Sequence, residues 1–405
     1  MFGVVRKGIK DMIPAREPMV VSIDDTLLKK SGKKTYGVSW KRDPMGPPFH
    51  VNFIKAQRFI QISAALPSGD GPSPARMIPI DLAFSDKPVK PKKSAPEEEW
   101  RQYRALSRKM SVSNQGSKMI CLLREKLDSE GEEKRRLVVV ADGGYTNGSI
   151  MKNLPGNTTF IGRMRKDAKL YHPPVYDGKP PNGRRRVYGD RGHTPEELRC
   201  DQSIPWQEVK VFAAGKEHSF RVKSLTPLLW RSAGPLPLKL VVIAPLAYRP
   251  RKGSRLLYRQ PAFLICTDID MPLDDILQYY VWRWDIEVNF RDEKQLIGMG
   301  EAQVHSESSA KRVPEFVAAC YAMLLLSAHK AFGAGSIPGA IPPPKWIKRE
   351  KLRFTTKDLI SQLRSELWGE AIGKDSFYGF VDRNTGFTKP EKRNPDLASA
   401  VLYAA

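Results

Sequence analysis

Short uninterrupted apolar runs along the chain predict buried β-strands. Residues 137–141 form such a run, residues 19–23 form one that is broken only by Ser22, and aspartate follows both of them. Residues 51–66 and 77–84 predict two further extended segments, and residues 97–127 predict one long helix or two. This mixture of strands and helices indicates an α/β fold class.

The segment 164–260 differs in composition from the segments before it. It is rich in Pro and Gly and contains short β-like runs at 209–213, 219–222 and 238–247. A stretch of this length is too long for a plain connecting loop. It predicts a β-rich subdomain inserted into the core, after which residues 263–267 predict a core strand leading into the next helix.

Residues 274–294 contain no Gly or Pro and predict one continuous helix with an Asp pair near its N-terminus. At about 100° per residue, five polar side chains fall within roughly 80° of one another, namely Tyr280, Arg283, Glu287, Arg291 and Lys294. One stripe therefore carries a phenol, one carboxylate and three cations. The carboxylate suits a metal ion and the cations suit phosphate, although a salt-bridged surface stripe would have the same spacing.

Further acids stand where two of the predicted strands end. Asp142 follows the run 137–141, and a Gly pair then closes a tight turn. The carboxyl ends of strands are where open α/β sheets place ligand sites. Asp24 and Asp25 end the first run, and alternation places them on opposite faces of the strand. Taken singly, each acid could equally be a turn, cap or strand-ending residue.

The spacing of four residues in the 274–294 helix resembles the Y-R-E-K signature of bacterial insertion-sequence transposases of family four; these residues are Tyr280, Arg283, Glu287 and Lys294. The resemblance implies that Glu287 is the last acid of a DDE metal triad. It also implies that Tyr280, Arg283 and Lys294 position the DNA backbone at the transposon end, and Arg291 is a further predicted DNA contact.

The other two acids of the implied triad are Asp142 and Asp25. Asp142 stands in an Ala-Asp-Gly block similar to the one that carries the family's middle Asp. Asp25 matches the family's apolar-Asp-Thr pattern, with Asp24 as its neighbour and alternative. The resemblance implies that Asp25, Asp142 and Glu287 hold two divalent cations, magnesium or manganese. Phosphoryl transfer on DNA uses such hard cations, and carboxylate oxygens are their preferred ligands.

The implied fold is a ribonuclease-H-like, retroviral-integrase-like core with an inserted β-rich subdomain and a helical C-terminal region. The expected organisation is a short lead at 1–18, the first part of the core at 19–163, the insertion at 164–260, the second part of the core at 261–332, and a C-terminal region at 333–405.

In the C-terminal region, a Pro-rich linker at 338–344 precedes a helix that begins near a Thr355/Thr356 cap. A polar tail follows from Lys374.

The charge of the chain agrees with a nucleic-acid partner. It has 67 Lys and Arg against 44 Asp and Glu, a net charge of +23. Basic clusters occur at 87–93, 249–255 and 345–353 and at Arg184, Arg185 and Arg186. Such an excess neutralises DNA phosphates and releases counterions. Ribosome-associated and membrane-surface proteins are equally basic, so charge alone does not decide the partner.

Several function classes are not indicated. No Cys or His pair has zinc-ligand spacing, and no Gly-rich phosphate loop indicates ATP hydrolysis. The four Cys residues show no paired spacing and are predicted to be core residues in a reducing compartment. The longest apolar run, 316–328, is too short to span a bilayer. With no secretory apolar region at the N-terminus, a cytoplasmic location is expected.

The predicted function is therefore cut-and-paste DNA transposition, with metal-dependent 3′-end cleavage and strand transfer by a homodimer that holds two transposon ends and the target duplex. Only 24 residues precede Asp25, and they contain Pro14 and Pro18, so no helix-turn-helix module is expected there. Two alternatives remain open: a catalytically inactive relic that only binds DNA, and a ribonuclease-H-like nuclease without strand transfer.

Overall fold

The computed structural model describes residues 1–32, 34–43, 46–47, 49–68, 73–176, 185–213, 215–251, 253–333 and 353–371. Some sequence predictions fall outside these residues. They are the DNA contact at Arg184, the linker at 338–344, most of the basic cluster at 345–353, and the tail from Lys374.

The strands of the described part of the chain are β1 (Met19–Lys29), β2 (Ser39–Arg42), β3 (Phe53–Pro67), β4 (Ala75–Phe84), β5 (Leu137–Ala141), β6 (Thr158–Arg163), β7 (Leu170–Tyr171), β8 (Gln207–Ala213), β9 (Lys216–Trp230), β10 (Gly234–Ile243), β11 (Ala247–Tyr248), β12 (Leu257–Tyr258) and β13 (Ala262–Cys266).

The helices are α1 (Phe2–Lys10), α2 (Glu97–Lys109), α3 (Val112–Ser129), α4 (Gly148–Met151), α5 (Pro195–Cys200), α6 (Leu273–Trp282), α7 (Asp285–Gln295), α8 (Glu307–Phe332) and α9 (Thr356–Ala371). The stretch predicted as one long helix or two is two helices, α2 and α3. The N-terminal α1 was not predicted.

One large sheet organises the fold, and its central strands run in the order β4-β3-β1-β5-β6. Strand β3 is antiparallel to β1, whereas β1, β5 and β6 are mutually parallel. Every residue of β5 is buried, as its continuous apolar sequence predicts for a strand covered on both faces. This mixed order fits the ribonuclease-H-like fold of DDE enzymes.

The β-rich segment 164–260 extends the same sheet. Strand β13 pairs with β6, β10 pairs with β13, and β9 pairs with β10. The β10–β13 pairing joins Leu240, Val241 and Val242 to partners that are also buried, so apolar burial favours continuation of the central sheet. Only the short β11–β12 pair stands apart among the described strands. The segment is thus β-rich, but most of its strands belong to the central sheet.

Helix α6 covers one face of the central sheet. Its buried residues Ile276, Leu277 and Tyr279 share an apolar cluster with Val138 of β5 and Ile161 of β6. This packing holds the helix pair α6–α7 beside the ends of the parallel strands.

The predicted continuous helix 274–294 is interrupted. Arg283 and Trp284, between α6 and α7, keep right-handed helical dihedral angles. Here the backbone hydrogen bonds span three residues, where an α-helix spans four. The Trp284 amide donates to the Val281 carbonyl at 3.2 Å, and the Glu287 amide donates to the Trp284 carbonyl at 3.1 Å. Three-residue spacing advances the chain by more degrees per residue than an α-helix. The predicted five-residue stripe is therefore not one straight row.

The chain divides into two compact units, residues 1–322 and 323–405. In the second unit, the predicted cap at the start of α9 is confirmed: the Asp358 amide donates to the Thr355 hydroxyl at 3.2 Å, and the Thr355 amide donates to the Asp358 carboxylate at 2.8 Å. All four cysteines are free, but only Cys266 is buried and Cys200 is exposed, so the prediction of four core cysteines is wrong.

Helix α8 is long and apolar enough to cross a membrane, and it is longer than the apolar run seen in the sequence. By length and composition alone this is weak evidence. The share of its most apolar window buried inside the protein is 44%, and a core helix passes the same test.

Candidate active site

A cavity of about 890 Å³ lies beside the carboxyl ends of the parallel strands. Four acids line it: Asp24, Asp142 and Glu287 come from three distant parts of the sequence, and Asp167 pairs with the neighbouring Arg165 at 3.0 Å. Its wall also includes the cations Arg163, Arg165, Lys166 and Arg283 and the aromatic residues Trp230, Tyr280 and Trp284.

The register of β1 and β5 brings the first two acids together. Ile23 lies opposite Ala141 in this parallel pair, so the next residues, Asp24 and Asp142, follow as neighbours where the pairing ends. The prediction that the acids end the first strand is wrong, because β1 continues to Lys29 through its pairing with β3. Adjacent strands lie about 4.8 Å apart, and residues directly opposite one another project from the same face of the sheet. Asp24 therefore shares a face with Asp142, and Asp25 projects from the other.

The turn after β5 fixes Asp142. Its carboxylate accepts hydrogen bonds from the amides of Gly144 at 2.8 Å and Tyr145 at 3.4 Å. The Thr146 hydroxyl donates to the Asp142 carbonyl at 2.8 Å. Side-chain-to-backbone bonds of this kind are typical of Asp at tight turns, and here they hold the acid at the mouth of the cavity.

Asp25, which the sequence resemblance implies as the first acid, has other partners. The Tyr145 hydroxyl donates to its carboxylate at 3.2 Å, and Arg58 forms an ion pair with it at 3.3 Å. The described cavity lining contains Asp24 and not Asp25. Burial raises the pKa of the Asp25 carboxyl, while the charge of Arg58 opposes that rise. The two adjacent acids thus occupy different environments.

Burial and the neighbouring charge of Asp142 raise the pKa of Asp24 to about 7, although Arg283 acts in the opposite direction. Desolvation disfavours the ionised carboxylate, and a second negative charge disfavours it further. A cation placed between Asp24 and Asp142 would relieve this repulsion. The mutual repulsion of Asp24 and Asp142 therefore favours a bound cation.

Arg283 links the third acid to the first. Its guanidinium lies 3.5 Å from the Asp24 carboxylate and donates a hydrogen bond to Glu287 at 3.2 Å. It also lies 5.6 Å from the centroid of the Tyr280 ring. Three residues of the predicted stripe, Tyr280, Arg283 and Glu287, therefore do meet at the cavity.

The donor set fits hard divalent cations, because carboxylate oxygens are the ligands that such ions prefer. Within the described residues, however, no group of three His, Cys, Asp or Glu side chains is assembled closely enough to hold a metal ion. Glu287 points to Arg283. Asp24 and Asp142 are the acids that the strand register places side by side, whereas Glu287 accepts a hydrogen bond from Arg283.

The remaining predicted DNA contacts lie outside this cavity. Arg291 is exposed and pairs with Asp292, and Lys294 is half-buried beside the Phe290 ring. Burial lowers the pKa of the Lys294 ammonium. Arg185 and Arg186 are exposed.

Sequence reasoning missed three cations of the cavity wall: Arg163, Arg165 and Lys166. They follow the apolar run of β6, the strand parallel to β5. A basic run directly after a buried parallel strand is the signal that predicts their position, because such strand ends meet at one edge of a sheet. Trp284 also lines the cavity, but the sequence does not predict it as a site residue because it lies outside the four-residue signature.

A ribonuclease-H-like sheet with acids side by side on its adjacent central strands defines a class of enzymes that cut or transfer nucleic-acid strands. A family model described as DDE superfamily endonuclease matches residues 4–233, more than half of the chain. The chain belongs to this family. The match is consistent with a DDE transposase, as the sequence resemblance implies, and the family implies a DNA substrate and generally uses divalent metal ions. A comparison with curated proteins finds no match.

Proposed function

We propose that the protein is a DNA transposase that cleaves the 3′ ends of an insertion sequence and transfers them to a target duplex. The observation that carries the proposal is the side-by-side placement of Asp24 and Asp142 in a cavity that Glu287 also lines. The family-four subtype is part of the proposal and is supported by the Tyr280, Arg283 and Glu287 grouping.

The proposed metal ligands are Asp24, Asp142 and Glu287, with Asp24 in place of Asp25. The bound magnesium or manganese ions would activate the attacking oxygen and stabilise the leaving oxygen. The register argument supports Asp24, because ligands of a shared ion must project from one face of the sheet. Asp25 is instead proposed to hold the turn after β5 through Tyr145.

The cations of the cavity wall are proposed to bind the DNA backbone. Arg163 is the last residue of β6, the strand next to β5, and Arg165 and Lys166 follow it, so the three lie on the same edge of the sheet as the acids. Phosphate contacts fix the position of the duplex without reading its sequence. Arg283 is proposed to hold Glu287 before the metal binds and to face the scissile phosphate afterwards.

The test is nicking of supercoiled plasmid and of the cognate element end, with magnesium or manganese. Asp24→Asn, Asp142→Asn and Glu287→Gln should each abolish nicking while DNA binding persists, because each removes a proposed ligand without adding charge. Asp25→Asn should retain measurable nicking. Glu315→Gln, at an exposed acid of α8, is the matched control. Nicking by Asp142→Asn at the wild-type rate would refute the proposal.

A nuclease without strand transfer is the second candidate, because the matching family is described as an endonuclease. An assay with a pre-cleaved element end distinguishes the transposase from the nuclease. Joining of that end to unrelated plasmid DNA by a paired complex of two chains supports the transposase and its homodimeric synapsis. Nicking without any joining, in both metals, supports the nuclease.

A further inference from the structure

The β2–β3 hairpin presents an exposed face whose residues are not part of the cavity lining. Trp40 lies opposite Lys55, and Arg42 lies opposite Phe53, in the antiparallel register of the hairpin. Residues directly opposite each other, and residues two apart on one strand, share a face of a sheet. These four side chains therefore form one surface, termed here the aromatic–basic face.

The aromatic–basic face leaves its rings open to solvent. Trp40 is 65% exposed and Phe53 is 56% exposed. The Lys55 ammonium lies 5.4 Å from the centroid of the Trp40 ring. Rings and cations alternate across the two strands, so each ring has a positive charge beside it.

This alternation selects the kind of partner. The four side chains carry two positive charges, so the same face on a second copy would bring four positive charges together. Nucleic acid supplies the complementary charge on its phosphates and flat rings on its bases. Base faces are covered by stacking inside a duplex and become available when the strand is unpaired.

The hairpin also has a defined position relative to the acids. Asp25 of β1 lies opposite Ile60 of β3, and Phe53 is seven residues earlier on β3. At about 3.3 Å per residue, this separation is about 23 Å along the strand. It corresponds to about seven nucleotides at the spacing of one duplex strand.

We propose that the aromatic–basic face binds single-stranded DNA, with unpaired bases stacked on Trp40 and Phe53 and with Arg42 and Lys55 at the phosphates. This site is separate from the proposed cleavage site and goes beyond the proposed function. It would hold a strand that has been opened at some distance from the point of cleavage.

The test measures binding of a dT oligonucleotide of about 15 nucleotides to the full chain, by fluorescence anisotropy in EDTA. Trp40→Ala and Phe53→Ala should each weaken dT binding at least about fivefold, the effect of losing one weakly stacked base. Trp40→Phe should restore most of the affinity, because it keeps a ring. Arg42→Gln and Lys55→Gln should each lower the salt slope by about one.

Phe316→Ala is the matched control, because Phe316 of α8 is also exposed, at 59%. It should leave dT binding unchanged. Because the changed side chains are exposed, thermal melting should confirm that all variants remain folded. Because the assay is run in EDTA and measures binding alone, it remains readable whether or not the proposed cleavage site is correct.

Three results would overturn the inference. The first is unchanged dT affinity in the Trp40→Ala, Phe53→Ala double variant. The second is an equal loss of dT and duplex binding in that variant, which would assign the face to duplex DNA. The third is a wild-type dimer that the double variant dissociates while dT binding persists, which would assign the face to a second copy of the chain.

Discussion

Glu293 lies on the helix that carries Glu287, and its side chain is completely buried against the sheet. Burial raises its pKa from 4.5 to about 8, against smaller opposing effects of Gln61 and Lys294. The carboxyl is therefore neutral in the folded protein at pH 7 and ionised in the unfolded chain. Between these two pKa values the folded state binds one more proton, so its stability falls as pH rises.

The magnitude follows from the width of that window. One pKa unit corresponds to about 1.4 kcal/mol, so the cost of this carboxyl grows by about 3 kcal/mol between about pH 5 and 7.5. Below about pH 4.5 the cost is absent, and above about pH 8 it is constant. Glu293→Gln replaces the acid by a neutral group of similar shape. The variant should therefore gain stability over the wild type as pH rises through this window.

The assay is urea unfolding of both proteins at several pH values, followed by tryptophan fluorescence. The difference in the free energy of unfolding should grow by about 3 kcal/mol in favour of Glu293→Gln between about pH 5 and 7.5. Glu315→Gln, at an exposed acid, should show no such trend. A Glu293→Gln variant whose stability follows the same pH dependence as the wild type would refute the reasoning.

Three other predictions follow from the site. Burial and Asp142 raise the pKa of Asp24 to about 7, so manganese binding measured by calorimetry should weaken about tenfold per pH unit below about pH 7. Asp24→Asn should remove this trend, and a manganese affinity of the wild type that does not change with pH would contradict the prediction. Arg283→Gln removes a cation that lowers the pKa of Asp24, so the pH–rate profile of nicking should move to higher pH, and an unmoved profile would count against that role. Asn289→Ala should cost about 1–3 kcal/mol in urea unfolding, because its buried amide donates to the Met77 carbonyl at 3.0 Å; a loss below about 0.5 kcal/mol would show that this bond does not anchor α7.

The central strands were largely predictable, because their signal is local. The apolar run 137–141 is β5, and the run beginning at residue 19 opens β1. The choice between Asp24 and Asp25 was not predictable in the same way. Alternation separates the two acids, but only the register with β5 shows which one shares a face with Asp142.

Two other differences have similar causes. The sequence of residues 274–294 predicts helix throughout. It does not reveal the change of hydrogen-bond spacing at Arg283 and Trp284, because the backbone angles there stay helical. The segment 164–260 has the composition of β-structure, yet composition does not say with which strand β10 pairs. That pairing with β13 depends on contacts between residues distant in the sequence.

The most direct test of the proposed metal site is an anomalous-scattering difference map from crystals of the full chain soaked in manganese. The proposal predicts a peak bonded to both Asp24 and Asp142, with Glu287 turned from Arg283 towards the ion. A peak bonded to Asp25 on the opposite face of the sheet would contradict it. So would the absence of any peak at Asp142 at a manganese concentration that supports nicking.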